Sequence, residues 1–486
     1  MAAIRKHFDP YLDLRAIGIF RILLFGVLIV DLLVNKWPSI VPFYTEEGLF
    51  SNEMVQRIVE VNPDRWIYNW TLLRWFETKN GVGFFFILTL ISYVLTLIGY
   101  RTRGFSVLSF IALWSIHMRN SLALAGPDEI LINLLFISMF LPLNQRLTMF
   151  RPGAKEKENK WRKFPAFYAL FFIGMVYFYE AFLKSGDLWQ NGEAIYYALM
   201  EDLWSKPLAD VLMANSELCN FLTASTIWIE YAIPILIFLP VFNKWSRTIA
   251  AVLLLCLHWS IYLVLDLGLF PWIVLTYATL LISTESIDAI SKRVKRFLPY
   301  VKAIELKPKL TKHKTYQGKL ATGFMAIFLI VVVWKSALWS DTFNSRLPNP
   351  KVMSEINHAP LFVQNWGFYG PNPNITHGWF KVVGVMVNGS MVDLRSGKQA
   401  TFDDSGIDAY RGDYPWCVFF YRTVMYGHLN SREVFDAWAR YEFEEHSKSN
   451  RLLKQVQIIA FTKTITAIQE ESEVQQFVFS YAPMNR

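Results

Sequence analysis

The chain has few charged residues and few cysteines for its length. Charged side chains make up 18% of its 486 residues, below the roughly 25% that is usual in soluble proteins. The cysteines Cys219, Cys256 and Cys417 are scattered along the sequence. This scatter excludes a disulfide framework and the regular spacings that bind zinc. We therefore expect neither a metal site nor an ordinary soluble globule.

Several short motifs of common enzyme classes are also missing. The sequence contains no HExxH, no P-loop, no GxSxG turn and no GxGxxG after a strand. The usual marks of zinc proteases, P-loop NTPases, α/β-hydrolases and dinucleotide-binding enzymes are therefore absent. No pair of interrupted apolar segments repeats in inverted order, which argues against a secondary transporter.

Long apolar runs dominate what is present. Hydrophobic residues make up 53% of the chain and aromatic residues 16%, and many runs approach the ~20 residues that a bilayer span needs. The polar start leads directly into the first run, so we expect no cleavable signal peptide. The pattern predicts an all-α polytopic membrane bundle of about nine transmembrane helices. The predicted spans are 16–34, 82–100, 104–117, 130–143, 164–183, 219–242, 248–265, 269–282 and 320–339.

The basic residues predict the orientation of this bundle. A net charge of +8 would be compatible with nucleic acid, but the lysines and arginines lie mostly between spans, where the positive-inside rule accounts for them. The basic turns near 101–103, 151–163 and 244–247 and the linker 283–318 all fall on one side. We therefore predict a cytoplasmic N-terminus, a lipid bilayer as the surroundings and no nucleic-acid partner.

The C-terminal region differs from the rest of the chain. Residues 1–340 hold the predicted spans, whereas 341–486 are soluble in character and fall outside the cytoplasm in the predicted orientation. Two apolar segments flank Asn388-Gly389-Ser390, and Asn-Gly is a strong hairpin signal. Residues 431–448 have helical periodicity, and two later segments are typical of strands. We predict a small extracytoplasmic α+β domain.

One stretch, 177–197, is the main candidate for chemistry. It places Glu180 and Lys184 one helical turn apart at the end of the fifth predicted span, where ionisable groups are costly. Lys184 can be an anchor that extends to the membrane interface. Alternatively, it is a reactive amine, because burial disfavours the charged form of a lysine. Glu180 would favour the ammonium form, so its direction decides between the two.

Other ionisable residues at membrane depth also have two interpretations. Arg119 and Asp128 can form a structural pair across a turn. A lone histidine in a span, such as His258, is more often a buried hydrogen-bonding group, and Glu230 can satisfy backbone groups freed by a nearby proline. As a functional set, Glu230 and His258 lie on spans that could line one cavity.

Six stretches along the chain together resemble a known family. Their content, order and spacing are similar to the horizontally transferred transmembrane domain (HTTM) family, which includes vitamin K-dependent gamma-carboxylase. The resemblance covers nearly the whole chain. The stretches are DPYLDLRAIGIFRILLFGVLIVDLL, PFYTEEGLF, HMRNSLALAGPDEILINLLFISMFLPL, FYEAFLKSGDLWQNGEAIYYAL, LHWSIYLVLDLGLFPW and FVQNWGFYGPNPNITHGWFKVVGVMVNGSMVDL.

The resemblance implies a base and a cofactor. The carboxylase uses a lysine to deprotonate reduced vitamin K, and Lys184, followed by Asp187 and Trp189, matches that position. His258 matches a histidine near the quinone site. The implied cofactor is a reduced vitamin K or menaquinol-type quinone, with oxygen and carbon dioxide as co-substrates.

The same resemblance shows one departure. Arg119-Asn120-Ser121 stands where the carboxylase has Asn-His-Ser, so Asn120 takes the place of the histidine. The chain is also much shorter than the carboxylase. The expected site then comprises Lys184, Asn120 and Asp187 as catalytic residues. The expected quinone-binding residues are His258, Trp189, Arg119 and Asp128.

Two classes of function follow. The first is a quinol-dependent, gamma-carboxylase-like or quinone-epoxidising membrane enzyme, for which quinone oxidation is more expected than carboxylation. The second is a non-enzymatic scaffold or maturation factor for an exported protein or peptide. In either case we expect a bacterial inner (cytoplasmic) membrane.

Overall fold

The structure is a computed structural model that is mostly helical and has a small sheet near its C-terminal end. It describes residues 10–61, 63–150, 159–201, 203–240, 242–297, 319–338, 346–351, 355–356, 359–364, 366–403, 407–425, 432–449, 452–465 and 474–483.

The helices of the first 340 residues begin at polar caps and run through apolar sequence. The side chains of Asp13, Thr78 and Asn215 each accept a backbone N–H bond at a helix start, which satisfies a donor that the helix leaves free. A short strand pair, β1 (Leu12–Asp13) with β2 (Lys160–Trp161), precedes the first long helix. The helices are α1 Leu14–Val30, α2 Ile40–Tyr44, α3 Asn52–Val61, α4 Lys79–Leu97, α5 Thr102–Arg119, α6 Gly126–Ser138, α7 Phe164–Leu183, α8 Asp187–Gln190, α9 Ala194–Leu199, α10 Pro207–Met213, α11 Ser216–Phe238, α12 Asn243–Val264, α13 Phe270–Leu281, α14 Thr284–Phe297 and α15 Lys319–Leu338.

Six helices in the described part of the chain are long and apolar enough to cross a membrane. They are Leu14–Lys36, in which a π-helical turn extends α1, and Lys79–Leu97, Phe164–Leu183, Ser216–Phe238, Trp245–Val264 and Ala321–Leu338. A seventh candidate is the pair α13 and α14, bent by 104°. These helices indicate a membrane protein in a lipid bilayer.

The predicted count of nine spans is not confirmed. Helix α6 has 13 residues and α13 has 12, fewer than a straight crossing needs. Helix α5 has 18 residues but contains two arginines and a histidine. The predicted linker 283–318 begins with helix α14, and residues 298–318 lie outside the described residues.

Helix α7 is the most enclosed of the long helices. About 72% of the residues in its apolar stretch are buried, whereas the share for α11 is 22%. Helices α11, α13 and α15 pack against it, and α12 packs between α11 and α13. Ionisable groups at the end of α7 are therefore held inside the bundle.

The C-terminal sheet confirms the strand and helix predictions. Its antiparallel order is β4–β3–β5–β6, with β3 Thr376–Met386, β4 Met391–Asp393, β5 Leu453–Thr464 and β6 Val474–Tyr481. The hairpin between β3 and β4 turns at Asn388-Gly389-Ser390. Two helices accompany the sheet, α16 Tyr414–Phe420 and α17 Arg432–Ser447, and α17 packs on β5 and β6.

Aromatic packing joins the sheet region to the bundle. The ring centroids of Phe43 on α2 and Trp416 on α16 are 4.9 Å apart, and Trp204 lies 5.6 Å from Tyr414. The Arg422 side chain donates to the carbonyl oxygen of Leu124. The hydrophobic core is therefore continuous across residue 340, the predicted domain boundary.

Candidate functional site

The end of α7 carries a buried stripe of polar side chains. Tyr177, Glu180 and Lys184 are spaced i, i+3 and i+7, so they lie on one helix face, and all three are buried. Lys184 is the residue that ends the helix. The stripe faces α11, α12 and α13 rather than lipid.

Lys184 forms a buried ion pair with Glu230 of α11. Its Nζ donates to Oε1 at 2.8 Å and to Oε2 at 2.9 Å, and only 3% and 5% of the two side chains are exposed. Nζ also lies 3.4 Å from the carbonyl oxygen of Glu180 and 5.2 Å from the centroid of the Trp189 ring. Lys184 is therefore not an anchor that extends to the interface.

Glu180, whose direction the sequence leaves open, is not the carboxylate that Lys184 donates to in the described residues. Its carboxylate is buried, and Oε2 has no hydrogen-bond partner in the described residues. With both glutamates ionised and Lys184 protonated, the three groups carry a net charge of −1. A buried acceptor left in this state is costly, so the site has capacity for one more proton or one more donor.

Two tyrosine hydroxyl groups and a histidine, joined by hydrogen bonds, lie between α7, α12 and α13. The Tyr177 hydroxyl lies 2.7 Å from His258 Nε2 and also bonds to the Tyr277 hydroxyl. His258 Nδ1 is buried without a hydrogen-bond partner among the described atoms. The Phe270 ring meets the imidazole edge to face at 4.8 Å. Glu230 and His258, which the sequence places on spans that could line one cavity, thus both bond to side chains of α7: Glu230 to Lys184 and His258 to Tyr177.

A C-terminal segment covers the end of α7. Trp189 Nε1 donates to the Tyr369 carbonyl oxygen at 2.8 Å, and the Gly186 N–H donates to the Pro371 carbonyl oxygen at 2.9 Å. The Leu188 N–H donates to Asn372 Oδ1 at 3.0 Å. The predicted site residue Asp187 lies in this turn with an exposed side chain, apart from Lys184 and Glu230.

Arg119, Asn120 and Asp128 have other partners. Arg119 donates to Glu46 at 2.8 Å and to the Tyr44 carbonyl oxygen at 3.3 Å. Asp128 accepts from Lys36 at 3.1 Å, so the expected Arg119–Asp128 pair is not formed.

Asn120 is buried near this second set of charges. Its Oδ1 caps the following turn by accepting the Leu122 N–H, and its Nδ2 has no partner in the described part of the chain. The structure thus brings Lys184, His258 and Trp189 together. It places Arg119, Asn120 and Asp128 around the α5–α6 turn.

Sequence reasoning missed two features of the site. The sequence indicates a backbone role or a functional set with His258 for Glu230, but not its ion pair with Lys184, although a carboxylate within an apolar run signals an oppositely charged partner on another span. Tyr177 and Tyr277 were not selected, and only the i, i+7 spacing of Tyr177 and Lys184 could have indicated a shared face. No group of three His, Cys, Asp or Glu side chains within the described ranges is arranged to hold a metal.

Comparison of the chain with family models, with curated proteins and with solved structures found no match. The HTTM resemblance is therefore carried by the sequence stretches.

Proposed function

We propose that the chain is an HTTM-type membrane enzyme that deprotonates a reduced, lipid-soluble quinone, with Lys184 as the base. The observation that carries the proposal is the buried Lys184–Glu230 pair beside the unpartnered carboxylate oxygen of Glu180. A surface anchor needs neither enclosure nor a second carboxylate. A base inside a membrane needs both a protected amine and an acceptor for the proton it gives up.

The site has buried acceptor atoms that suit the hydroxyl groups of a quinol. Glu180 Oε2 and His258 Nδ1 are buried atoms that lack a hydrogen-bond partner within the described ranges. A quinol carries two hydroxyl groups, which are donors of the kind that would satisfy such acceptors. Lys184, Glu180 and His258 are the residues we assign to hold it, with Trp189 against the lysine.

The proton transfer begins within the ion pair. Lys184 Nζ gives a proton to a Glu230 carboxylate oxygen 2.8 Å away, which breaks an N–H bond, forms an O–H bond and leaves the amine lone pair free. In a desolvated site the neutral pair is closer in free energy to the charged pair than it is in water. The free amine then accepts a hydroxyl proton and returns to the ammonium form.

The surroundings protect this base. The Trp189 indole and the segment of residues 369–372 cover the end of α7, and exclusion of water prevents a strong base from being quenched. When bound, the quinol supplies the acidic hydroxyl and, with oxygen, the oxidation that ends in its epoxide. Asn120 has no proton-accepting nitrogen, so we place quinone epoxidation ahead of carboxylation with carbon dioxide.

The proposal includes a membrane topology. We infer nine crossings, in which α5, α6 and α13 count as short or tilted spans, a cytoplasmic N-terminus and an extracytoplasmic C-terminal domain in a bacterial inner membrane. The support is that every basic turn then lies on the cytoplasmic side.

The test uses purified full-length protein in detergent or lipid nanodiscs, supplied with a reduced naphthoquinone and oxygen. We expect epoxide formation by the wild type and its loss, by 100-fold or about 3 kcal/mol, in Lys184→Ala. Lys206→Ala is the matched control, because Lys206 also contacts an aromatic ring, that of Tyr262 at 3.6 Å, but lies outside the buried pair. Equal turnover by Lys184→Ala and the wild type would rule out the lysine as the base.

A second function is favoured by β6, the last strand in the described sheet order. Val474, Phe477 and Val478 are about half exposed, and apolar residues on such a strand suit the binding of an extended segment along its edge. A scaffold or maturation factor for an exported protein or peptide would use this strand. In that case Phe477→Asp abolishes function in cells, whereas Lys184→Ala has no effect.

A further inference from the structure

A second buried cluster of charges lies where α1 ends and α6 begins. Asp31 and Lys36 are on the π-helical turn that extends α1, His117 is on α5 and Asp128 is on α6. No more than 6% of any of the four residues is exposed. The set of residue types matches the first site, which also combines one lysine, two carboxylates and one histidine.

Lys36 is shared unequally between the two carboxylates. Its Nζ donates to Asp128 Oδ1 at 3.1 Å but lies 3.9 Å from Asp31 Oδ2. Asp128 also accepts the Ala125 N–H at 2.9 Å through Oδ2. Asp128 therefore has a close cation and a backbone donor, which together stabilise its ionised form.

Asp31 has weaker support. Its Oδ1 accepts one bond from the Asn35 side-chain amide at 2.9 Å, and its contact with Lys36 is the long one. His117 adds an acceptor to the cluster: Nε2 lies 3.6 Å from Asp128 Oδ1, and neither ring nitrogen has a hydrogen-bond partner in the described residues. With both aspartates ionised and His117 neutral, the cluster carries a net charge of −1.

The groups facing the cluster do not remove this charge. On α6, the neighbouring Glu129 has its own cation, Arg422, at 3.6 Å. Within the described ranges, the remaining titratable groups in electrostatic range from packed elements are tyrosines, which are neutral at physiological pH. They are Tyr44 on α2, Tyr93 on α4 and Tyr414 on α16.

We propose that this cluster is a proton-binding site, with the proton resident on the Asp31 carboxylate. Binding forms one O–H bond on Asp31 as one O–H bond of a hydronium ion breaks and leaves water, and it brings the net charge of the cluster to zero. A proton is favoured over a metal ion because both Asp128 oxygens are already hydrogen bonded. The described residues also contain no metal-binding group of three such side chains. The inference does not depend on the quinone proposal.

The test is the infrared spectrum of the purified full-length protein in detergent at neutral pH. The wild type should show the carbonyl stretch of a protonated carboxylic acid, and the difference spectrum against Asp31→Asn should show its loss. Asp31→Glu should keep a band at a shifted frequency. Glu46→Gln is the control, because Glu46 is part-exposed and paired with Arg119, and it should leave the band unchanged.

Thermal unfolding of the same variants gives an independent readout. Asp31→Asn mimics the protonated state and should keep the wild-type midpoint, whereas Asp128→Asn should lower it because Lys36 loses its close partner. An unchanged carbonyl band in Asp31→Asn would overturn the proposal. A fall in midpoint as large as that of Asp128→Asn, or a failure of Asp31→Asn to fold, would also overturn it.

Discussion

Removing one partner of the Lys184–Glu230 pair should destabilise the protein more than removing both. At 2.8–2.9 Å and an effective dielectric constant of about 20, the gross attraction between the charges is about 6 kcal/mol. Desolvation opposes part of this attraction, and loss of one partner of a buried pair typically costs about 3–5 kcal/mol. Lys184→Met leaves two glutamates without a cation, so we expect a loss at the upper end of this range.

A double-mutant cycle measures the pair itself. The variants are Lys184→Met, Glu230→Met and the double variant, compared by reversible unfolding in mixed micelles. Because methionine fills similar volume and needs no partner, the double variant should lose less free energy of unfolding than either single variant. Its loss should therefore fall below the sum of the two single losses by at least about 3 kcal/mol.

The control cycle uses Glu53 and Arg57, an i,i+4 pair at 2.6 Å whose side chains are 73% and 56% exposed. Its coupling should be about 0.5 kcal/mol or less, because water screens exposed pairs. If the Lys184–Glu230 cycle gives a coupling no larger than this control, the reasoning that the pair is buried and desolvated is refuted.

Two further predictions concern the C-terminal region. His377 is buried in β3 without a hydrogen-bond partner for either ring nitrogen in the described residues; burial, helped by Lys463, lowers its pKa from 6.5 to about 4. The unfolded chain then binds more protons than the folded protein below pH 6.5. The free energy of unfolding should therefore fall by up to about 3 kcal/mol as pH drops from about 6.5 to about 4. His377→Phe should flatten the pH profile of the unfolding midpoint relative to wild type. A methyl group at Gly186 would lie 2.2 Å from Asn372 Oδ1, so Gly186→Ala should lower the free energy of unfolding by about 1–3 kcal/mol in the same assay. Gly83→Ala is the control, because its methyl group meets open space and should cost nothing. Equal effects of the two substitutions would contradict the close packing of residues 369–372 over the end of α7.

Local signals in the sequence predicted the local structure. The Asn388-Gly389-Ser390 turn, the helix over 431–448 and the strands after it are all present, because turn chemistry and periodicity act over a few residues. The end of α7 at Lys184 was predicted for the same reason. The number of crossings was less accessible, since length alone does not separate a short buried helix from a span.

Pairing between distant residues was not predictable in the same way. Glu230 lies 46 residues after Lys184, and Asp128 lies 92 residues after Lys36. Charge and position suggest that a buried ion needs a partner, but several carboxylates satisfy that condition equally. The first pair forms where α11 packs against α7. The second forms between the π-helical turn that carries Lys36 and the start of α6.

Part of the C-terminal region, the segment of residues 366–372, packs against the candidate site. Phe368 reaches the start of α6, where a methyl group at Gly126 would lie 2.0 Å from its ring, and it also packs 6.1 Å from Phe270. Phe270 in turn contacts His258 of the Lys184 site. Two aromatic side chains, Phe368 and Phe270, therefore link the start of α6, where Asp128 lies, to His258 of the Lys184 site. The C-terminal segment that carries Phe368 is thus packed against both regions.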